Sequence, residues 1–272
     1  MEWPSAWTVF DCSVSPEALR EAAPCFGHCR DCGRTHRLAA GNAQSHARKL
    51  MREFERIRRI DYLASEEEAD ARLSLNQLLP GERGHMFGVL ECRDDRGRSV
   101  ILRAFSSLPG GIRDVEGWVP QILSHHSFYQ IVLPALNEIK QMTTALGRLT
   151  PGSPQACDQT ERRTRASQDL WRRMQTLYRF HNFRGESRSL KDAFAQAPSK
   201  TGNITSGVGE CCAPKLLNHA ARSGLRPVGL AEFYWGGDNQ SGSRRPGEFY
   251  PCCEARCQPL LGFMLCGLED GD

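Results

Sequence analysis

The chain has 272 residues and a mass of 30.5 kDa, enough for a substantial core and for about two domains of ordinary size. Its 40% hydrophobic and 25% charged residues exclude wholesale disorder, and a net charge of +3 is too small to indicate a dedicated nucleic-acid binder. The first residues lack the charge and apolar run of a secretory signal, and no stretch approaches the roughly 20 apolar residues of a membrane span. We therefore expect a cytoplasmic protein without a membrane partner, in which clustered thiols are metal ligands rather than disulfides.

The N-terminal segment carries a candidate zinc site. Residues 1–40 are predicted to be irregular because prolines interrupt any long helix, but Cys29 and Cys32 are separated by two residues. Gly33 follows them and permits a tight turn with positive φ, which is typical of a metal knuckle. Cys25 and His36 complete a predicted four-ligand zinc site in this segment.

The knuckle has two other interpretations. In the first, Cys25 packs in a core and the cysteine pair binds metal with help from His28 or Cys12. In the second, the cysteine spacing matches the iron-sulfur signature of radical enzymes that use S-adenosylmethionine. Asp31 stands where those enzymes place an aromatic residue, and no strand-helix repeat follows, so a structural zinc is the favoured hypothesis.

A basic helix and a β-hairpin are predicted next. Apolar residues recur at spacings of three and four over residues 42–63, with arginines and lysines around them, which indicates an amphipathic helix. Residues 86–92 and 99–105 are rich in Val, Ile and Phe and flank the sequence DDRGR. This pattern is typical of two antiparallel strands joined by a turn.

Residues 136–183 have a polar helical pattern that is interrupted by the sequence TPGSP, so we predict a helical connector. Its second half interleaves arginines with aromatic residues. Trp171, Arg172 and Arg173 are candidate RNA-binding residues, because phosphates require positive charge and unstacked bases require flat faces. The alternative is that the aromatic residues anchor the helix to a core while the arginines form its solvated face.

The C-terminal part holds half of the twelve cysteines. The pattern predicts a helix over residues 213–223, a strand over 227–235 and a helix over 254–266, and cysteines open each helix. Helix N-termini favour thiolates, so Cys211, Cys253 and Cys257 are predicted to gather around one zinc. Alternatively, Cys211 or Cys212 is the fourth ligand of a closed structural site.

This arrangement resembles the zinc-dependent nucleobase deaminases. In that superfamily a His or Cys begins one helix, a proton-shuttling Glu follows two residues later, and Pro-Cys with a second Cys begins the next helix. The corresponding segments are GECCAPK and YPCCEARC. Ala213 occupies the position of the shuttling Glu, and three residues separate Cys253 from Cys257 where two are usual. The resemblance implies that Glu210 or Glu232 would have to carry protons in an active enzyme.

A second resemblance covers residues 57–268. The motifs MFGVL, YRF, APKLL, AEFYWG and FYP with the cysteines that follow are similar to the long N-terminal region of some bacterial RluA-type RNA pseudouridine synthases. The catalytic Asp of those enzymes lies in an Arg-Leu-Asp motif, which this chain lacks. The resemblance implies an accessory role in RNA modification, with rRNA or tRNA as partner and without pseudouridine synthesis by this polypeptide.

We therefore predict an α+β protein with three regions. Residues 1–135 hold the zinc knuckle, the basic helix and the hairpin, residues 136–185 the helical connector, and residues 186–272 a deaminase-like α/β zinc domain. The first functional hypothesis is a zinc-binding accessory protein for RNA modification or RNA binding. The second is an active zinc-dependent deaminase or hydrolase that acts on a nucleobase or nucleotide, and the third is a structural zinc protein that acts through a protein partner. A carboxylate beside an open metal position would favour the second.

Overall fold

The computed structural model describes residues 25–75, 84–195, 204, 207–237, 242–254 and 256–268. Helices and antiparallel sheets occur together in it, which confirms the predicted α+β class. The strands are β1 (Cys25–Cys29), β2 (Arg34–Leu38), β3 (His85–Arg93), β4 (Ser99–Phe105), β5 (Arg179–His181), β6 (Ser187–Ser189), β7 (Arg226–Trp235) and β8 (Phe249–Tyr250). The helices are α1 (Ala43–Ile57), α2 (Leu133–Leu146), α3 (Pro154–Leu177), α4 (Leu190–Ala195), α5 (Cys212–Arg222) and α6 (Gln258–Met264), and short helical turns cover Ala71–Leu73, Pro109–Gly111 and His125–Val132.

The central sheet has the order β4-β3-β7-β8, and every neighbouring pair is antiparallel. The predicted hairpin is confirmed as β3 and β4, and the predicted strand over residues 227–235 is confirmed as β7. Strands of the first predicted region thus pair with a strand of the third. The sheet places the start of β3 beside the end of β7, where Met86 faces Tyr234 in the register.

Strand β3 is buried on both faces, because helices cover both sides of the sheet. Phe87 and Val89 belong to one core with α1, whereas Met86, Leu90 and Cys92 belong to a second core with α5 and α6. This is the alternation expected of a strand between two layers, and it explains why the sequence of β3 has no polar face.

The basic helix α1 is confirmed, although it ends at Ile57 and not near residue 63. Arg58 adopts a positive φ of 55°, and its backbone N–H bonds to the carbonyl of Phe54, which terminates the helix. Phe54 is buried against Phe87, with ring centroids 4.8 Å apart, so the apolar stripe faces the sheet.

The two helices predicted on either side of the break are present as α2 and α3, which pack against each other, but Arg179–His181 form β5 instead of continuing the helix. The hydroxyl of Ser153 accepts a hydrogen bond from the backbone N–H of Ala156, which caps α3 at its N-terminus. Among the described residues, no helix combines the length and the apolar character that a membrane span requires.

The prediction of irregular structure is wrong for residues 25–38, which form the antiparallel pair β1 and β2. Helix α6 covers this pair of strands, and the two backbones come so close that both the helix and β1 need a glycine at the contact. A Cβ added to Gly262 would lie 1.9 Å from the carbonyl oxygen of His28, and one added to Gly27 would lie 2.3 Å from the backbone nitrogen of Gly262. Backbone therefore meets backbone where α6 crosses β1.

We expect Gly262→Ala to destabilise the protein by at least about 3 kcal/mol, because the methyl group has no space and neither backbone can move freely. Chemical denaturation followed by circular dichroism measures the change. Gly147→Ala is the matched control, since its added Cβ would have only ordinary contacts at 3.6 Å or more. Equal stabilities of the two variants would contradict the close packing of α6 on β1.

Candidate metal centres

The first candidate metal centre is formed by Cys29, Cys32, His36 and Cys266, whose ligand atoms all lie within 4.8 Å of one another. Nε2 of His36 is 3.1 Å from Sγ of Cys32, and Sγ of Cys266 is 4.0 Å from that same sulfur. Three of the four side chains are buried. Three thiolates and one imidazole form a complete tetrahedral donor set, which is typical of structural zinc.

Cys25 lies outside this centre, which corrects the predicted ligand set. Cys25 and Cys29 stand four residues apart on β1, so about 13 Å of extended strand separates them. Burial in the core, followed by the nearby Cys252 and Glu232, raises the pKa of the Cys25 thiol. Cys25 is therefore a neutral core residue.

The fourth ligand, Cys266, was missed because it follows α6, more than 200 residues after the knuckle. Its only sequence signal is a cysteine at the end of an apolar run, which is equally typical of a core residue. The alternative ligand His28 is exposed, with Nδ1 3.4 Å from Oγ1 of Thr35, and Cys12 lies outside the described residues.

The second candidate centre is formed by Cys211, Cys253 and Cys257, again with all sulfur atoms within 4.8 Å of one another. Cys211 is the N-cap of α5 and Cys257 is the N-cap of α6, so the structure brings together the two helix starts that the sequence indicated. The backbone N–H of Cys257 bonds to the carbonyl of Cys253 at 3.1 Å and closes the loop between these two ligands.

The three thiols of this centre share protons. Hydrogen bonds from Cys211 and Cys257 lower the pKa of the Cys253 thiol far below its ordinary value. The bond with Cys253 raises the pKa of Cys211, and bonds with Cys211 and Cys253 raise that of Cys257. A soft divalent cation would replace the shared protons and hold all three sulfurs as thiolates, as zinc does in proteins.

Cys212, the other predicted ligand, points away from the centre. Its buried thiol donates to the carbonyl of Met86 at 3.2 Å, on the side of α5 that packs on the sheet. Gly88 makes room for it, since an added Cβ there would lie 2.6 Å from the Cβ of Cys212. Cys211 is the extended N-cap and Cys212 is the first residue of α5, and their sulfur atoms have different partners.

A cavity of about 620 Å³ adjoins the second centre. All three cysteines line it, together with Glu210 and Glu232, two arginines, and the serines that follow β4. The first centre has four ligands and the second has three among the described residues, with this cavity on its open side. Three protein ligands beside a solvent-sized space are typical of a catalytic zinc rather than a structural one.

Glu232 on β7 is buried, and its Oε1 accepts a hydrogen bond of 3.0 Å from the backbone N–H of Ala213. Ala213 is the residue at the position of the shuttling Glu in the deaminase resemblance, so a carboxylate reaches that position from the neighbouring strand. Burial, and next the charge of Cys253, raise the pKa of Glu232 to about 7 against the lowering effect of the bond from Ala213. Such a group exchanges protons readily near neutral pH.

Glu210 also faces the cavity, directly before the ligand Cys211. Its carboxylate accepts a hydrogen bond from the hydroxyl of Tyr178, a core residue from the YRF motif. Burial raises the pKa of Tyr178, which therefore stays protonated and continues to donate to Glu210. Both predicted proton carriers thus lie beside the three-cysteine centre, and Glu232 is the more deeply buried.

The three candidate RNA-binding residues lie on α3. Trp171 packs partly buried against the core, and its Nε1 donates to the carbonyl of Ile204 at 2.9 Å. Arg172 is exposed and forms an ion pair with Asp169 on the same helix, and Arg173 is exposed as well. Trp171 therefore anchors the helix, and its ring is not a free stacking surface.

No protein-family model, curated protein or solved structure matches this chain at a significant level. The two family resemblances therefore depend on the motif residues alone. What the protein does has to be argued from the geometry of the two cysteine centres and the cavity.

We expect Cys266→Ser to lower the zinc content of the purified protein by about one equivalent, because it removes one of the four ligands of the closed centre. It should also lower stability strongly, since a structural zinc contributes on the order of 10 kcal/mol to folding. Elemental analysis and thermal unfolding measure both effects. Cys25→Ser is the matched control, and loss of zinc from the control but not from Cys266→Ser would restore the ligand set predicted from sequence.

Proposed function

We propose that the three-cysteine centre and its cavity form the active site of a zinc-dependent hydrolytic deaminase that acts on a nucleobase. The observation that carries this proposal is the buried carboxylate of Glu232 beside an incomplete set of three thiols in a cavity. The order of elements supports it as well. A helix that starts at a cysteine, a strand and a second helix that starts at a cysteine come in this order along the C-terminal part, as in the resemblance.

The donor set fits zinc. Cys211, Cys253 and Cys257 would hold the ion through soft thiolates at helix N-termini, where the backbone dipoles favour negative charge. A zinc ion held there would lower the pKa of a water molecule and so supply the nucleophile for the carbon that carries the amine. No other acidic residue or imidazole joins the three cysteines among the residues that the structure describes.

Glu232 would carry the proton in this reaction. In hydrolytic deamination a C–O bond to water forms, the C–N bond breaks, and the amine leaves as ammonia, without any change of oxidation state. A carboxylate must accept a proton from the water and deliver it to the amine nitrogen. Glu232 is held at the start of α5 by the backbone N–H groups of Ala213 and Cys212, and it lines the cavity beside the three cysteines.

From sequence alone, the accessory role rests on the resemblance to the pseudouridine synthase region and on Ala213 at the position of the shuttling Glu. In the structure the strand next to α5 supplies a carboxylate at the same backbone position, which removes that argument against activity. The accessory role in RNA modification and the role through a protein partner stay predictions. The arginines of α3 are weak evidence for RNA binding, because Arg162, Arg165 and Arg172 form ion pairs with acidic residues one turn away on the same helix.

We expect the zinc-loaded protein to release ammonia from at least one member of a panel of cytosine and adenine nucleosides, nucleotides and single-stranded RNA oligonucleotides. Glu232→Gln should lower this rate by about 100-fold or more, because the amide keeps the bond to Ala213 but cannot carry a proton. Zinc content and unfolding temperature should stay near those of the unchanged protein.

The matched control is Glu210→Gln, which replaces the other cavity carboxylate, the one bonded to Tyr178. We expect a smaller loss of rate, because Glu210 is less buried and already engaged. No ammonia from any panel member, with both centres loaded, would contradict the deaminase proposal. A large loss in Glu210→Gln together with an active Glu232→Gln would assign proton transfer to Glu210.

A further inference from the structure

Two guanidinium groups line the same cavity and have no part in the proposed chemistry. They belong to Arg244, in the loop before β8, and Arg256, in the loop between two of the cysteine ligands. Both are more exposed than Glu232 and Cys257, which are buried at the other end of the cavity. The cavity therefore has a buried end with thiols and a carboxylate, and a solvent-facing end with positive charge.

Arg244 is held against an aromatic ring. Its guanidinium carbon lies 5.7 Å from the ring centroid of Tyr250, and the hydroxyl of Tyr250 in turn accepts from the backbone N–H of Arg245 at 2.7 Å and donates to Glu248 at 2.9 Å. Stacking on a ring that is itself fixed by two hydrogen bonds limits the conformations of the arginine. The charge is thereby kept near the cavity.

Arg256 is tied to the metal centre by its main chain. Its backbone N–H bonds to the sulfur of Cys253, and its guanidinium lies beside Gly207, where an added Cβ would be 3.5 Å from Nη1. Among the residues that the structure describes, no carboxylate forms an ion pair with Arg256. Arg256 thus brings to the cavity a positive charge that no described carboxylate pairs with.

The turn after β4 forms part of the same cavity wall and is held in an unusual conformation. Ser107 has a φ of 63°, a left-handed value that is uncommon for a residue other than glycine. Ser106 fixes the turn through two hydrogen bonds to Met86. Its backbone N–H donates to the carbonyl of Met86 at 2.8 Å, and its hydroxyl accepts from the backbone N–H of Met86 at 3.0 Å. Such conformations persist where the surrounding structure enforces them, and they cluster at ligand sites.

We propose that the substrate carries a phosphate group, which Arg244 and Arg256 bind at the solvent-facing end while the base reaches the buried end. Arginines recognise phosphate through paired N–H donors, so Arg244, stacked on Tyr250, and Arg256, which no described carboxylate pairs with, are suited to bind an incoming anion. The assignment of the base to the buried end rests on the proposed function. The binding of phosphate does not, and it is tested by binding alone.

The test compares nucleosides with their 5′-monophosphates by calorimetry, using the zinc-loaded protein. We expect cytidine or adenosine monophosphate to bind about tenfold tighter than the matching nucleoside, as expected for a charge-assisted contact. Arg244→Gln and Arg256→Gln should each remove most of this difference. Arg96→Gln is the control, because Arg96 lies exposed in the turn at the far end of β3 from the cavity.

A single-stranded oligonucleotide identifies the source of the phosphate. Tighter binding of the oligonucleotide than of the mononucleotide, with the same dependence on the two arginines, would place the site on nucleic acid, and the reverse order would place it on free nucleotides. Equal affinity for nucleoside and nucleotide, no binding of either, or arginine variants that bind like Arg96→Gln would overturn the proposal. Phosphate-dependent binding without ammonia release would instead retain this proposal and contradict the deaminase activity.

Discussion

Helix α6 connects the two cysteine centres, and the rest of the C-terminal structure depends on its position. Cys257 of the three-cysteine centre caps its N-terminus, and Cys266 of the closed centre follows its C-terminus. In between, Gly262 meets the backbone of β1 at a distance that no side chain could tolerate. A helix of seven residues is too short to be stable alone, so its packing on β1 has to hold it, and a metal bound at each candidate centre would hold both of its ends.

This arrangement explains why one chain needs two kinds of centre. The closed centre joins the N-terminal strand pair to the end of α6 and has no remaining coordination position. The other centre has three ligands and a cavity, so its geometry depends on how firmly its ligands are held. A metal in the closed centre would fix α6 and with it Cys257, so under the proposed function the first centre supports the structure and the second carries the chemistry.

The buried polar residues of the APKLL and AEFYWG motifs have different tasks. Lys215 extends from α5 to the carbonyl of Phe105 and to Gln121, and burial lowers the pKa of its ammonium group. It joins α5 to the end of β4 and to the loop beyond it. Glu232 extends from β7 to the start of α5 and faces the cavity. One buried side chain thus joins the elements around the site, and the other lines the cavity.

The local elements were determined by the sequence itself. The apolar runs of β3 and β7 and the period of three to four in α1 reflect which residues can be buried, and this information is local. The three cysteines of the open centre were also predictable, because each stands near a helix start. Only the tertiary structure decided the rest. Cys266 joins the knuckle, Cys25 does not, and Glu232 reaches Ala213, because these contacts connect residues far apart in the chain through packing that no short sequence pattern encodes.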